Sequence, residues 1–211
     1  TGSVKTGKRI ARLASDNLKK VSLELGGKDP VIICDDADIS VAAKGTSWGG
    51  FVNSGQVCTS IERVYVYNSV ADKFTEALVE EAKKVKLGDP MDENTDVGPM
   101  ASKVQLKNTI EKVALAKKEG ARLLTGGERP LEPARGYFFT PTIFDRVKPD
   151  MEIVTEESFS PVIPIQKIDS LDEAVRMANS TKYGLGCTIF TKDIERALTA
   201  ADKIKSGTVC I

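Results

Sequence analysis

The sequence predicts an α/β fold: a mostly parallel, open sheet flanked by helices. Two observations predict it. Short apolar runs of strand character alternate with amphipathic stretches of helical length, the pattern of successive βα units. The chain is also long enough, at 211 residues with 41% hydrophobic and 28% charged side chains, to close a core around such a sheet.

The elements follow in order. Residues 3–19 space Val4, Ile10, Ala11 and Leu18 among basic residues, as an amphipathic helix does. VSLEL (21–25) and PVIICD (30–35) read as strands around a Gly-Gly turn. Residues 39–55 read as a helix with Asp38 or Ser40 as its N-cap. ERVYVY (62–67) is β-branched and aromatic, hence a strand. In 70–86, Phe74, Leu78 and Val79 share one helical face. Asp, Asn, Gly and Pro crowd 87–100, a loop. A helix over 102–120 closes on Gly120, followed by a strand at 121–127 and a loop to Tyr137. Residues 138–147 read as a strand with Pro141 at its edge or at a bulge, and 161–168 as another. Ser170 and Glu173 form a capping box opening a helix over 170–184. Strand 186–191, helix 194–204 and strand 207–211 complete the order. The chain opens on TGS with no preceding strand and stops inside a strand, so it reads as a piece of a longer protein.

Composition excludes several function classes. Thirty basic and thirty acidic residues balance, which gives no electrostatic case for nucleic acid or an anionic membrane. Cys34, Cys58, Cys187 and Cys210 are scattered and histidine is absent, so a zinc site is not expected and the thiols read as reduced and cytoplasmic. Without histidine, a nucleophilic cysteine would need a helix N-terminus, backbone N–H groups or a cofactor's positive ring to raise its thiolate fraction.

Four stretches hold the candidate chemistry. TGSVKTG (1–7) puts Gly2, Ser3 and Gly7 at a helix start, where free N–H groups suit a phosphate or serve an ordinary cap. It is not a P-loop, because Arg9 stands where the magnesium ligand belongs. LELGGK (23–28) carries Glu24, which alternation alone reads as an exposed strand carboxylate. NSGQVCTS (53–60) carries Cys58; in isolation, a free cysteine is more often a packing residue. EESFSPV (156–162) carries Glu156 and Glu157, by themselves a solvated acidic pair.

Together these stretches resemble the aldehyde dehydrogenase superfamily over essentially the whole chain. LELGGK and GQVC, with Glu24 and Cys58 34 residues apart, are specific as a pair. The resemblance implies an NAD(P)-dependent, hydrolytic enzyme that oxidises an aldehyde to a carboxylic acid. Residues 1–25 would be the terminal helix and strand of a coenzyme-binding domain, and 26–211 a Rossmann-like catalytic domain cut at its C-terminal end. Cys58 would form a thiohemiacetal and then a thioester, and Glu24 would activate the hydrolytic water. Gly2, Ser3, Gly7, Leu25, Gly26, Glu157 and Phe159 would face NAD or NADP: the first turn would hold the pyrophosphate, Glu157 the nicotinamide ribose, and Phe159 the nicotinamide. The family's second oxyanion donor, an asparagine, lies upstream, so Asn53 is not that residue. The family usually has glycine where Ser160 stands, a departure that bears on backbone geometry there. Ser54 and the Glu62-Arg63 pair lean toward lactaldehyde, glycolaldehyde or succinate-semialdehyde branches. The small-molecule partner is then an aldehyde, and the parent protein is expected as a homodimer or homotetramer. Cys34 and Cys187 read as packing residues; Cys210 takes no role. The alternatives are a CoA-acylating dehydrogenase, a related phosphate-ester reductase, for both of which a water-activating Glu24 is superfluous, and a non-catalytic binding module that retains the fold.

Overall fold

A computed structural model describes residues 1–133 and 135–211. Ala134, in the loop expected before Tyr137, lies outside the described residues. The described strands form one seven-stranded sheet in the order β3-β4-β5-β2-β1-β6-β7. These are β1 (Asp29–Ile33), β2 (Ile61–Tyr67), β3 (Arg122–Thr125), β4 (Thr142–Asp145), β5 (Val162–Ile168), β6 (Gly186–Phe190) and β7 (Thr208–Cys210). All neighbouring pairs are parallel except the antiparallel β3–β4 pair. The expected α/β class therefore holds.

β1 lies at the interior of the sheet and all five of its residues are buried. Val31 and Ile33 face one side and Ile32 the other, as the two-residue period of a strand requires. On the first side, α2 (Ile39–Phe51) and α3 (Asn68–Lys84) bring Ala42, Ala43, Phe51, Ala71, Phe74 and Leu78 onto the sheet. On the second, α6 (Leu171–Ala178) and α7 (Ile194–Lys203) bring Ala174, Val175, Ala178 and Ala200. A third cluster joins α4 (Lys103–Lys118) and the short α5 (Glu152–Thr155) to Phe139, Phe144 and Val162. Cys34 and Cys187 are buried in the second cluster, as packing residues should be. α1 (Val4–Ser15) stands apart from these cores, with Gly7 its buried residue.

Several boundaries depart from the sequence expectations. VSLEL forms no strand: among the described residues its backbone partner is the Gly2 N–H, which donates to the Glu24 carbonyl at 3.0 Å, and a strand exists only where a ladder pairs it. The helix expected to run to residue 55 ends at Phe51, because Asn53 and Ser54 turn left-handed at φ 52° and 58°. Asp38 is its cap, with Oδ1 accepting from the N–H groups of Ser40 and Val41. β4 begins only after Pro141, which leaves Phe138 and Phe139 in loop structure within the core. The helix expected over 170–184 stops at Ala178. Its capping box is displaced by one residue: Ser170 Oγ accepts from Glu173 N, while the Glu173 carboxylate accepts from Asp169 N at 2.8 Å. α5, at four residues, is too short to show a period.

Gly55 links the left-handed turn to the start of β5. Its φ is 67°, and a Cβ there would collide with the Ser160 carbonyl. Gly55→Ala is therefore expected to destabilise the fold by about 2 kcal/mol or more. Thermal melting should register this as a drop of at least about 4 °C.

Candidate active site

Cys58 sits at an exposed turn that closes through the Ser60 N–H and the Val57 carbonyl at 3.0 Å. The loop before it is fastened at several points. Asn53 Nδ2 donates to the Gln56 carbonyl at 3.1 Å, Ser54 Oγ to the Gly98 carbonyl at 2.7 Å, and Ala101 N–H to Gln56 Oε1 at 2.8 Å. Among the described residues no hydrogen bond engages the Cys58 thiol. Its position is set by backbone and by neighbours, and the residue is exposed.

Gly27 brings the candidate segments together. A Cβ there would collide with the Cys58 carbonyl oxygen, so the LELGGK segment packs directly on the cysteine turn. The Gly27 N–H donates to Glu157 Oε1 at 3.1 Å, and the Glu157 carboxylate lies against Gly26. Burial raises the Glu157 carboxyl above its ordinary range, the nearby Glu62 carboxylate adds to that, and the Gly27 N–H opposes it. Glu157 is thus no member of a solvated acidic pair. Its neighbour Glu156 is the surface partner, bound to Lys182 at 2.7 Å. Glu24, two residues before Gly26, is exposed, and its carbonyl is tied to Gly2.

The N-terminal motif joins the same assembly. Ser3 caps α1 by accepting the Thr6 N–H at 3.2 Å, and Gly7 packs on the Leu25 side chain. The Val4 and Lys5 N–H groups begin the helix and have no acceptor one turn earlier. Such a first turn, without an acidic residue, has the donor chemistry that a pyrophosphate needs. The half-buried Glu157 carboxylate has the acceptor chemistry that a ribose diol needs. The expected cofactor residues Gly2, Ser3, Gly7, Leu25, Gly26 and Glu157 therefore connect, contact by contact, from the start of α1 to the cysteine turn.

Phe159 has φ 48°, unusual for a residue with a Cβ and costing on the order of 1 kcal/mol or more. The left-handed position falls on Phe159 and not on Ser160, so the serine in place of the family's glycine meets no backbone obstacle. Sequence reasoning singled out Glu62 and Arg63 only as markers of substrate branches, and did not single out Lys28 or Gln105. Glu62 accepts the Ser158 and Phe159 N–H groups at 2.7 Å each, and Lys28 binds Glu62 at 2.7 Å. Gln105 Nε2 reaches the Ser158 and Phe159 carbonyls at 3.1 and 2.7 Å. Arg63 donates to the Lys28, Met177 and Ala178 carbonyls. Ser54, Glu62 and Arg63 are each at most 2% exposed. The residues that lean toward particular substrate branches are therefore buried parts of the scaffold.

Asp29 completes the buried charge cluster. Burial raises its pKa from about 3.8 to about 6, opposed by the Gly186 N–H and assisted by Glu62. The folded state therefore holds the extra proton between these values. The stability this gives is present below about pH 3.8 and is lost as pH rises through about 6. Asp29→Asn, which cannot ionise, should gain on the wild type by roughly 1–3 kcal/mol between pH 4 and pH 7 in urea melts.

The whole chain, residues 1–211, matches the aldehyde dehydrogenase family. It is 43% identical to a betaine aldehyde dehydrogenase of Brucella anthropi, a match covering 100% of this chain and 44% of the relative. Among solved structures, a betaine aldehyde dehydrogenase of Staphylococcus aureus in complex with NAD+ superposes with a TM-score of 0.97 at 41% identity, over 100% of this chain and 42% of that one. A lactaldehyde dehydrogenase of Escherichia coli does so with a TM-score of 0.95 at 40% identity, over 100% and 44%. The chain thus spans less than half the length of the relatives it matches.

Proposed function

The chain belongs to the aldehyde dehydrogenase family, and on that premise we propose that it carries the catalytic cysteine of an enzyme that oxidises aldehydes to carboxylic acids with NAD or NADP. The observation that carries this reading is the contact made by Gly27, which packs on the Cys58 backbone while its N–H binds Glu157. A nucleophile and a ribose acceptor meet there across one glycine.

In this reading the Cys58 sulfur attacks the carbonyl carbon of the aldehyde, giving a thiohemiacetal whose oxyanion accepts the Cys58 N–H. The bound nicotinamide dinucleotide supplies the hydride acceptor. Gly2, Ser3 and the first turn of α1 would hold the pyrophosphate, Gly7, Leu25 and Gly26 would line the way to Glu157, Glu157 would accept from the ribose hydroxyls, and Phe159 would face the nicotinamide. Loss of hydride leaves a thioester on Cys58. Glu24, exposed beside this assembly, removes a proton from the water that hydrolyses it. Residues 1–25 belong to the coenzyme-binding side, and 26–211, which contain every strand described, to the catalytic domain.

The substrate class is a small aldehyde such as lactaldehyde, glycolaldehyde or succinate semialdehyde. The protein acts in the cytoplasm as a homodimer or homotetramer; among the described residues no helix is long and apolar enough to cross a membrane. Transfer of the acyl group to coenzyme A is the second reading, disfavoured by a carboxylate at Glu24.

The test follows NADH or NADPH formation by the protein at its full natural length, with a panel of small aldehydes, with and without coenzyme A. Reduced cofactor and free acid without coenzyme A support the hydrolytic reading. Turnover only with coenzyme A selects the acylating one. Absence of turnover with every aldehyde and both cofactors leaves a binding module.

A further inference from the structure

We propose that Glu62, held by Lys28, is a positioning residue that locks Ser158 and Phe159 and so aims Glu157 and Phe159 at the cofactor; this rests on the dehydrogenase reading above.

The geometry is that of a clamp closing on one short segment from both sides. From the N–H side, Glu62 Oε2 accepts Ser158 N and Oε1 accepts Phe159 N, both at 2.7 Å. From the carbonyl side, Gln105 Nε2 binds the oxygens of both residues. The segment so held contains the left-handed Phe159, which a free loop would relax. Glu62 is itself fixed. Its side chain is 3% exposed and that of Lys28 0%, and the ammonium also donates to Ser158 Oγ at 3.1 Å. The Lys28 backbone is pinned in turn by Arg63 Nε at 2.7 Å. Both members of the pair start at strand ends, Lys28 just before β1 and Glu62 in β2, so the clamp is mounted on the sheet.

A buried ion pair is weak evidence for stability, because uncharged replacements often pack as well. This one has a further task. Two consecutive backbone donors of a strained segment spend their hydrogen bonds on one carboxylate, and only an ionised carboxylate offers an acceptor to both while also facing the ammonium. A glutamine at position 62 would turn an amide donor toward one of these three donors.

Glu62→Gln is tested beside the double variant Lys28→Met/Glu62→Gln, which removes both charges of the pair, in the protein at its full natural length. Wild-type hydrogen exchange comes first, resolved over residues 157–160. Slow exchange at the amides of 158 and 159 is expected; exchange as fast as in an exposed loop overturns the clamp whatever the variants do. In a variant with native circular dichroism, faster exchange at these amides is expected. With it should come a roughly tenfold rise in KM for NAD+ or NADP+, an aldehyde KM that changes little, and a primary isotope effect with the deuterated aldehyde as hydride transfer becomes limiting. Phe74→Leu, in the core beneath α3, should lower the melting temperature without moving that split. Loosened amides with unchanged kinetics would make Glu62 merely structural and overturn the positioning role. If the wild type oxidises no aldehyde, the dehydrogenase reading and the aiming role fall together, while the exchange data still decide the clamp.

Discussion

In the dehydrogenase reading, replacing Cys58 by alanine in the protein at its full natural length is expected to remove aldehyde-dependent formation of reduced cofactor, with a fall in kcat of at least about 10³-fold, since the sulfur that would form the covalent intermediate is gone. Stability should barely change, because the side chain is exposed and makes no hydrogen bond among the described residues. The other thiols provide the internal control. Cys34 and Cys187 are buried, and burial pushes the Cys187 thiol up to about 12, so neither should alkylate at neutral pH. Cys210 is exposed like Cys58 and should alkylate, but without loss of activity. Iodoacetamide labelling mapped by mass spectrometry, with activity followed in parallel, checks this. Inactivation should track Cys58 alone, and bound aldehyde should protect it. Inactivation that tracks Cys210 would move the chemistry to the far edge of the sheet.

Glu24→Gln has the second largest expected effect, and it is of a different kind. The Cys58 attack and the hydride transfer do not require Glu24 as water activator, so one equivalent of reduced cofactor should still appear in a rapid burst. Steady-state turnover should fall by about 10²–10⁴-fold, the range for loss of a general base. Rapid-mixing absorbance at the reduced nicotinamide band separates the two phases. A variant that loses the burst as well would make Glu24 the group that activates the thiol, and one that keeps full turnover would return it to the ordinary exposed carboxylate that alternation suggests.

The parts of the fold that the sequence could reach were those decided by local composition, a helical repeat or a cap. β1 and β2, the Phe74–Leu78 face of α3 and the Asp38 cap are local patterns, and they stand as expected. The misses share one cause. VSLEL has strand composition but no ladder, the chain after Phe51 turns left-handed to bring Gly55 onto Ser160, and α6 stops where the chain leaves its core face. Each outcome depends on a partner far away in sequence. The candidate site divides in the same way. Cys58, Glu24 and Glu157 stood out because their motifs occur together at family spacing. Lys28 and Gln105 did not, since a lysine after Gly-Gly and a glutamine on an amphipathic helix look solvated until the fold buries or engages them. Glu62-Arg63, a charged pair at a strand start, stood out as a marker of substrate branches, and its burial in the scaffold is visible only in the fold.

The central claim is that an acyl group passes through the Cys58 sulfur. The most direct measurement traps it: Glu24→Gln at full natural length is mixed with aldehyde and oxidised cofactor, quenched in acid within the burst, and mapped by peptide mass spectrometry. The peptide containing Cys58 should be heavier by the mass of the aldehyde less two hydrogens, only when cofactor is present, and hydroxylamine should remove the addition. A burst of reduced cofactor with Cys58 unmodified, or with the addition on another residue, would contradict the account.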